Sequence, residues 1–306
     1  MKIKVYVPDI ECGSCVKVIG KRFKEVKGIT SFIINEDHVD VTYDEAVINP
    51  ESIMDIIRNA GFRASTTQFE RKTFGERVRE FRENKAKYAI ERRGITYGIV
   101  VLILLVVIEL LVYNAFLKDA AGMLAKYGWW VFYLDIAVVA LGVGIWHILS
   151  YKAKVSCMVG MMIGMTIGMQ SGLMIGAVIG ATNGFFTGAL VGMLIGVIIG
   201  GWMGKCCGIM GLMEGMMAGV MGGTMGPMIS IMMAFDNILW FMPIFMAINI
   251  IIICGLSYVM FEEVIENGKD VKKKPIDFVT FASACMIVAA LLMIVMVYGP
   301  KGAVLI

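Results

Sequence analysis

The sequence predicts an α+β head of βαββαβ order joined to an all-α polytopic membrane domain of about seven helices. Three observations carry this. Of 306 residues, 58% are hydrophobic and 17% charged, more apolar than a water-soluble fold of this size needs. The hydropathy is also split: residues 1 to 66 alternate in a soluble pattern, 67 to 93 are dense in charge, and from 94 onward apolar stretches of about 20 residues alternate with short polar breaks. Finally, the 35 Gly and 26 Met gather mainly in that apolar part, at regular spacing. A net charge of +3 argues against nucleic acid as a partner, and the few polar residues beyond position 94 leave little room for a soluble catalytic domain. Neither an Asp-Lys-Thr-Gly signature nor a phosphate-binding P-loop is present, so no nucleotide partner and no enzyme activity is expected.

Ile3, Val5 and Val7 alternate with polar neighbours as a first strand, and Met1 runs straight into it, which reads as no signal peptide. Behind Cys12-Gly13-Ser14-Cys15, residues Val16, Val18, Ile19, Phe23 and Val26 recur at helical spacing, and Lys27-Gly28 stops that helix. Strand-like runs Ile29 to Ile34 and His38 to Tyr43 follow, with Asn35-Glu36-Asp37 as the turn between them. Asn49-Pro50-Glu51-Ser52 opens a second helix through Ile53, Ile56 and Ile57, and Asn59-Ala60-Gly61 closes it before a last short strand. The order over residues 1 to 66 is βαββαβ, which is ferredoxin-like.

A Cys-x-x-Cys at a strand-to-helix turn near the start of such a unit, with Ala60-Gly61-Phe62 closing the second helix, resembles the heavy-metal-associated domain of copper chaperones and heavy-metal P-type ATPases. The resemblance implies that Cys12 and Cys15 bind one soft metal ion. The residue types agree, because two thiols three positions apart at a helix N-terminus converge on one ion and the helix dipole favours the thiolate. Thioredoxin-like redox chemistry, the other use of Cys-x-x-Cys, fits this element order less well. The chain departs from the family where Gly-Met-Thr commonly precedes the first Cys, having Asp9-Ile10-Glu11 instead. Glu11 reads either as a solvated loop charge or as a hard third ligand, a carboxylate that some zinc-handling members also carry, and this opens Zn(II) beside Cu(I).

Residues 67 to 93 form a basic connector holding Arg71, Lys72, Arg77, Arg79, Arg82, Lys85, Lys87, Arg92 and Arg93. Val78, Phe81 and Tyr88 share roughly one helix face, so the segment reads either as a helix on the anionic inner leaflet or as a solvated linker helix. The membrane domain, residues 94 to 306, is expected to cross at about 95–117, 129–150, 156–180, 184–203, 208–233, 238–260 and 277–298. With the connector inside, the later inner loops hold Lys152, Lys154, Lys205, Lys269, Lys272, Lys273 and Lys274, so the positive-inside rule places the N-terminus in the cytosol and the C-terminus outside the cell membrane. A reducing cytosol also suits Cys12 and Cys15. Trp129, Trp130 and Trp240 read as an outer aromatic belt, and Trp146 and Trp202 as an inner one.

From Gly160 to Gly208 a glycine stands at every fourth position, forming a groove that winds round each helix and lets partners cross at close range. Beside it, Met158, Met162, Met165 and Met169 share a face of the third span, and Met210, Met213 and Met217 repeat the device in the fifth. Thioether sulfur binds Cu(I) or Ag(I) with no charge to desolvate, so these methionines read as ligands along a path, against their ordinary use as adaptable packing. Cys157 begins the third span, and Cys206 and Cys207 precede the fifth, all at one cytosolic mouth. Ligand exchange with Cys12 and Cys15 would pass an ion there without setting it free. Cys254 and Cys285 read as packing residues. Glu214, Glu109 and Asp135 are candidates for proton or cation coupling, because intramembrane carboxylates are costly to keep.

The expected function is membrane transport of a soft metal ion, with Cu(I) as cargo and Ag(I) as its analogue. Expected partners are the metal ion, the lipid bilayer, and a cytosolic metallochaperone or a second copy of the chain. A membrane-anchored metal buffer or sensor without transport, and a Zn(II) or Cd(II) transporter, remain the alternatives.

Overall fold

The computed structural model describes residues 1–8, 10, 13–35, 37–45, 47–62, 64–67, 75, 79, 82–83, 88–117, 123–152, 155, 157–262, 272–273 and 277–302. The chain divides into two compact units, one built on Met1–Lys87 and the other on Tyr88–Ala153, Cys157–Glu266 and Asp270–Ile306.

The first unit contains β1 (Lys2–Tyr6), α1 (Gly13–Lys24), β2 (Ile29–Ile34), β3 (His38–Tyr43) and α2 (Pro50–Asn59). The strands form an antiparallel sheet in the order β1-β3-β2, with Val5 opposite Val39 and both Ile3 and Phe32 opposite Val41. Strand periodicity sends Val5, Val39, Val41 and Tyr43 to one face, where they are buried with Ile19 and Phe23 of α1 and Ile53 and Ile57 of α2. Pro50 starts α2, where its missing N–H costs nothing, and Gly28 makes the turn after α1 at φ 106°, where a side chain would also press on Val47. The expected last strand is reduced, among the described residues, to a bridge in which Tyr6 and Ser65 exchange backbone hydrogen bonds of 2.8 and 3.1 Å.

The second unit is helical: α3 (Ala89–Val112), α4 (Met123–Ser150), α5 (Cys157–Asn183), α6 (Phe185–Gly204), α7 (Gly208–Met232), α8 (Ile238–Met260) and α9 (Phe278–Tyr298). Two-residue strands β4 (Tyr151–Lys152) and β5 (Lys272–Lys273) pair antiparallel. Among the described residues, six helical stretches are long and apolar enough to cross a bilayer, the mark of an integral membrane protein. About seven were expected; one of the six is the 51-residue Phe185–Phe235, apolar throughout, which a 3₁₀ turn at Lys205–Cys207 divides into α6 and α7.

Helices α5, α6 and α7 meet backbone to backbone. Rungs of facing glycines run antiparallel between α6 and α7 as Gly204–Gly211, Gly200–Gly215, Gly196–Gly219 and Gly192–Gly223, each step four residues. Gly168 and Gly172 of α5 close the third side: a Cβ on Gly168 would lie 2.7 Å from the Gly215 carbonyl oxygen, and one on Gly172 would lie 2.5 Å from the Gly223 nitrogen. This is the small-residue packing that gives membrane helices contact when the hydrophobic effect cannot. The other four helices pack through side chains, with Leu134, Met242, Met246, Ala289 and Met296 in the core.

Two expectations are corrected here. Trp146 is no belt residue: it is 2% exposed and its ring packs against Gly94, whose missing side chain makes the room. Tyr88 faces no leaflet, since it is buried and stacked on Phe261 at 4.7 Å between ring centres. Within the connector Arg79 pairs with Glu83 at 3.0 Å, while Arg71, Lys72, Arg77, Val78, Phe81, Lys85 and Lys87 lie outside the described residues.

Candidate metal centre

In the head, α1 begins at Gly13, so Cys12 immediately precedes it in sequence and Cys15 stands in its first turn. Cys15 is half-buried against the head core beside the closed sheet face. Glu11 and Cys12 lie outside the described residues.

At one end of the membrane unit, three further thiols come together. Cys157 opens α5, while Cys206 and Cys207 occupy the 3₁₀ turn between α6 and α7, so the glycine packing of these three helices is what brings the thiols to one place. The Cys207 thiol donates to the Cys157 carbonyl at 3.2 Å, and the Cys206 thiol donates to the Met203 carbonyl at 3.4 Å. Both sulfurs crowd Gly160: a Cβ there would lie 3.0 Å from the Cys206 sulfur and closer still to that of Cys207. The Cys207 thiol also interacts with those of Cys157 and Cys206. Cys157 and Cys206 are exposed and Cys207 is half-buried, leaving the group open to an incoming ion. Among the described residues no group of three or more His, Cys, Asp or Glu is placed so that it could hold a metal ion, and the Cys206 and Cys207 thiols address backbone carbonyls instead.

The methionines are not gathered with them. Met158, Met162, Met165, Met210, Met213 and Met217 are 40% to 65% exposed on the outside of the helical unit, and Met169 is half-buried. The reason is geometric. Met213 and Met217 follow Gly211 and Gly215 by two residues, and Met158 and Met162 precede Gly160 and Gly164 by two. Two residues turn a helix through about 200°, so a groove that faces inward sends these methionines outward. Glu214, between Met213 and the buried Gly215, is half-buried at the edge of the outer face.

Asp135 of α4 is wholly buried, and it meets Glu109 of α3 across the seam between these helices. Cys254 is exposed, and Cys285 is buried against Gly142 as a packing residue.

A polar cluster also lies where the sequence reading placed nothing. The Tyr151 hydroxyl donates to Glu91 Oε1 at 2.5 Å, and His147 Nε2 lies 3.4 Å from the same oxygen. Burial, and then the Glu91 carboxylate beside it, push the Tyr151 phenol well above its ordinary range, so it stays a donor. The signal was present in the sequence: His147 is one of only two histidines and sits within an apolar stretch, while Glu91 had been counted with the connector.

The family description heavy-metal-associated domain matches residues 4–63, so the head is a domain of that kind. Two curated relatives, both uncharacterized proteins of Haemophilus influenzae, are each 31% identical over 64 residues, covering 21% of this chain and 94% of their own length. No solved structure matches the chain.

Proposed function

The chain belongs, through its head, to the heavy-metal-associated domain family, and from that premise we propose that it moves a soft metal ion, Cu(I) first, across a membrane. In this reading Cys12 and Cys15 of the head exchange the ion with Cys157, Cys206 and Cys207 at the cytosolic mouth of the helical unit. The observation that carries the proposal is the meeting of the Cys206 and Cys207 sulfurs at Gly160, three residues along α5 from Cys157, whose carbonyl accepts from the Cys207 thiol. Ligand-by-ligand exchange among thiols keeps the ion coordinated throughout, so no step costs the full energy of releasing it.

The basic connector supports an N-terminus in the cytosol of a cell-membrane protein. The inside-negative potential then favours entry of a cation by about 2.3 kcal/mol per charge per 100 mV, and a thiolate acceptor inside adds to that pull. The outward methionines form an enclosed thioether path only where a second copy of the chain covers them; otherwise they face lipid.

Uptake of Ag(I), the analogue of Cu(I), into vesicles carrying the full-length protein tests the proposal. The triple variant Cys157→Ser/Cys206→Ser/Cys207→Ser is expected to lose about tenfold or more of the flux, the scale on which metal sites respond to loss of their partners. Unchanged flux would end the hand-off route. Absence of flux in the unaltered protein would leave a metal buffer or sensor.

The Glu11 carboxylate next to Cys12 favours a second reading, a Zn(II) or Cd(II) cargo. Competition of Cu(I) and Zn(II) for the full-length protein separates the two, and Zn(II) displacing Cu(I) would reverse the assignment.

A further inference from the structure

The helical unit buries more acid than its packing can satisfy. Asp135 is 0% exposed, and both of its carboxyl oxygens are buried without a hydrogen-bond partner. Glu109, which faces it from α3, has its own Oε1 buried without a partner. Three oxygens at one place are therefore unsatisfied, in a structure where buried polar atoms are otherwise expected to be paired.

Among the described residues, the helices packed on α4 bring no compensating charge to the pair. Helices α5, α8 and α9, which also pack on α4, contain no Asp, Glu, Lys, Arg or His. Their titratable groups stand elsewhere: Cys285 of α9 packs at Gly142, two turns along α4, and Cys254 and Tyr258 of α8 follow Ile253, which packs at Gly144. Cys157 heads the far end of α5, and Tyr298 is exposed at the end of α9. On α4 itself the Tyr133 hydroxyl donates to the Leu239 carbonyl at 3.4 Å, and Lys126 lies over the Tyr127 ring. Lys301 is taken up by the Met296 carbonyl and the same Tyr127 ring.

An ionised carboxylate only accepts hydrogen bonds, so two of them face to face offer each other repulsion alone. A proton on one makes it a donor to the other and satisfies oxygens of both. We propose that Glu109 and Asp135 form a proton-binding site inside the helical unit, holding at least one proton between them at neutral pH. Glu109 is half-buried and Asp135 wholly buried, so the proton enters and leaves on the Glu109 side, while Asp135 anchors the site within. If the chain transports metal as proposed above, this is the proton that can exchange against the cargo's charge. That step rests on the transport reading, whereas the protonated pair does not.

Two measurements on the full-length protein in lipid, with no metal added, test the site. Infrared spectroscopy at neutral pH is expected to show a protonated-carboxyl C=O band that shifts in D₂O, is lost in Asp135→Asn and is lost or moved in Glu109→Gln. A hydrophobic carbodiimide, which reacts with protonated carboxyls, is expected to label Glu109 or Asp135 of the unaltered protein well above the exposed Glu83, with adducts mapped by mass spectrometry. This second measurement needs no variant to fold. Absence of both the band and the label would overturn the site, as would a band that neither substitution moves. A band that emerges only after Na⁺ and K⁺ are removed would also overturn it, replacing the proton with a bound cation. Failed Ag(I) uptake leaves each of these readouts intact, so the two proposals fall separately.

Discussion

The two halves of the helical unit are built on opposite economies. Between α5, α6 and α7 the contact surface is glycine backbone, and the methionines beside it stand outside, while α5 also turns Met174, Ile175, Val178 and Ile179 into the side-chain core. In α3, α4, α8 and α9 the contact surface is side chains, and titratable groups are enclosed among them: Glu109 with Asp135, and Glu91 with His147 and Tyr151. The glycine half sets Cys157 at the start of α5 beside Cys206 and Cys207 in the turn between α6 and α7. The two proposals divide the same way: ligand exchange is proposed for the first half and proton binding for the second.

The largest effect that would break this contrast is a side chain in the glycine ladder. Gly215→Leu forces an isobutyl group into the backbone of Gly200 and is expected to leave little folded protein in a detergent-stability assay. Gly255→Ala, where nothing lies within 4 Å of an added Cβ, is expected to leave stability unchanged or slightly raised. Equal damage from the two would mean the ladder is not what holds α5 to α7 together. In the other half, Trp146→Ala empties the space over Gly94 and is expected to cost about 3 kcal/mol, read as a fall in the unfolding midpoint.

A smaller effect sharpens the role of the outer face. Replacing Met213 and Met217 by Leu conserves volume and is expected to change stability by less than about 1.5 kcal/mol for each. If Ag(I) flux also survives, thioethers carry none of the ion's path, whereas a loss of flux at unchanged stability assigns them a ligand role.

The smallest effect belongs to the head. His38 hydrogen-bonds the exposed Asp37 and holds its carboxyl below the usual carboxylate range. A depressed pKa adds stability above the unfolded-state value and loses it as pH falls through the folded one. The unfolding midpoint of Asp37→Asn should therefore differ slightly from the parent at neutral pH and converge with it in strong acid. Divergence that grows on acidification would contradict the pairing.

His38–Tyr43 was legible to the residue because its alternation is strict, and Ile29–Ile34, whose register shifts between Ile29 and Ser31, because Gly28 and the Asn35 turn mark its ends. The glycine packing was legible too, since a period of four over three helices has few other uses. The direction of the methionines was within reach of the same arithmetic: a residue two positions from an inward glycine points outward. Trp146 was misread because a tryptophan near the end of a span suggests an interface, and only the position of Gly94 on another helix reveals the slot that receives it. The Glu109–Asp135 meeting was not legible at all. It depends on the register of α3 against α4, which Gly94, Gly98 and the residues above them set by packing.

The central claim is that a soft ion is exchanged between the head thiols and Cys157, Cys206 and Cys207 of the helical unit. Thiol alkylation of the full-length protein, followed residue by residue during titration with Cu(I), tests it most directly. Protection of Cys12 and Cys15 by the first equivalent, then of Cys157, Cys206 and Cys207 together by the next, is the expected order. Head cysteines that become protected while those three stay fully reactive at every Cu(I) level would contradict it.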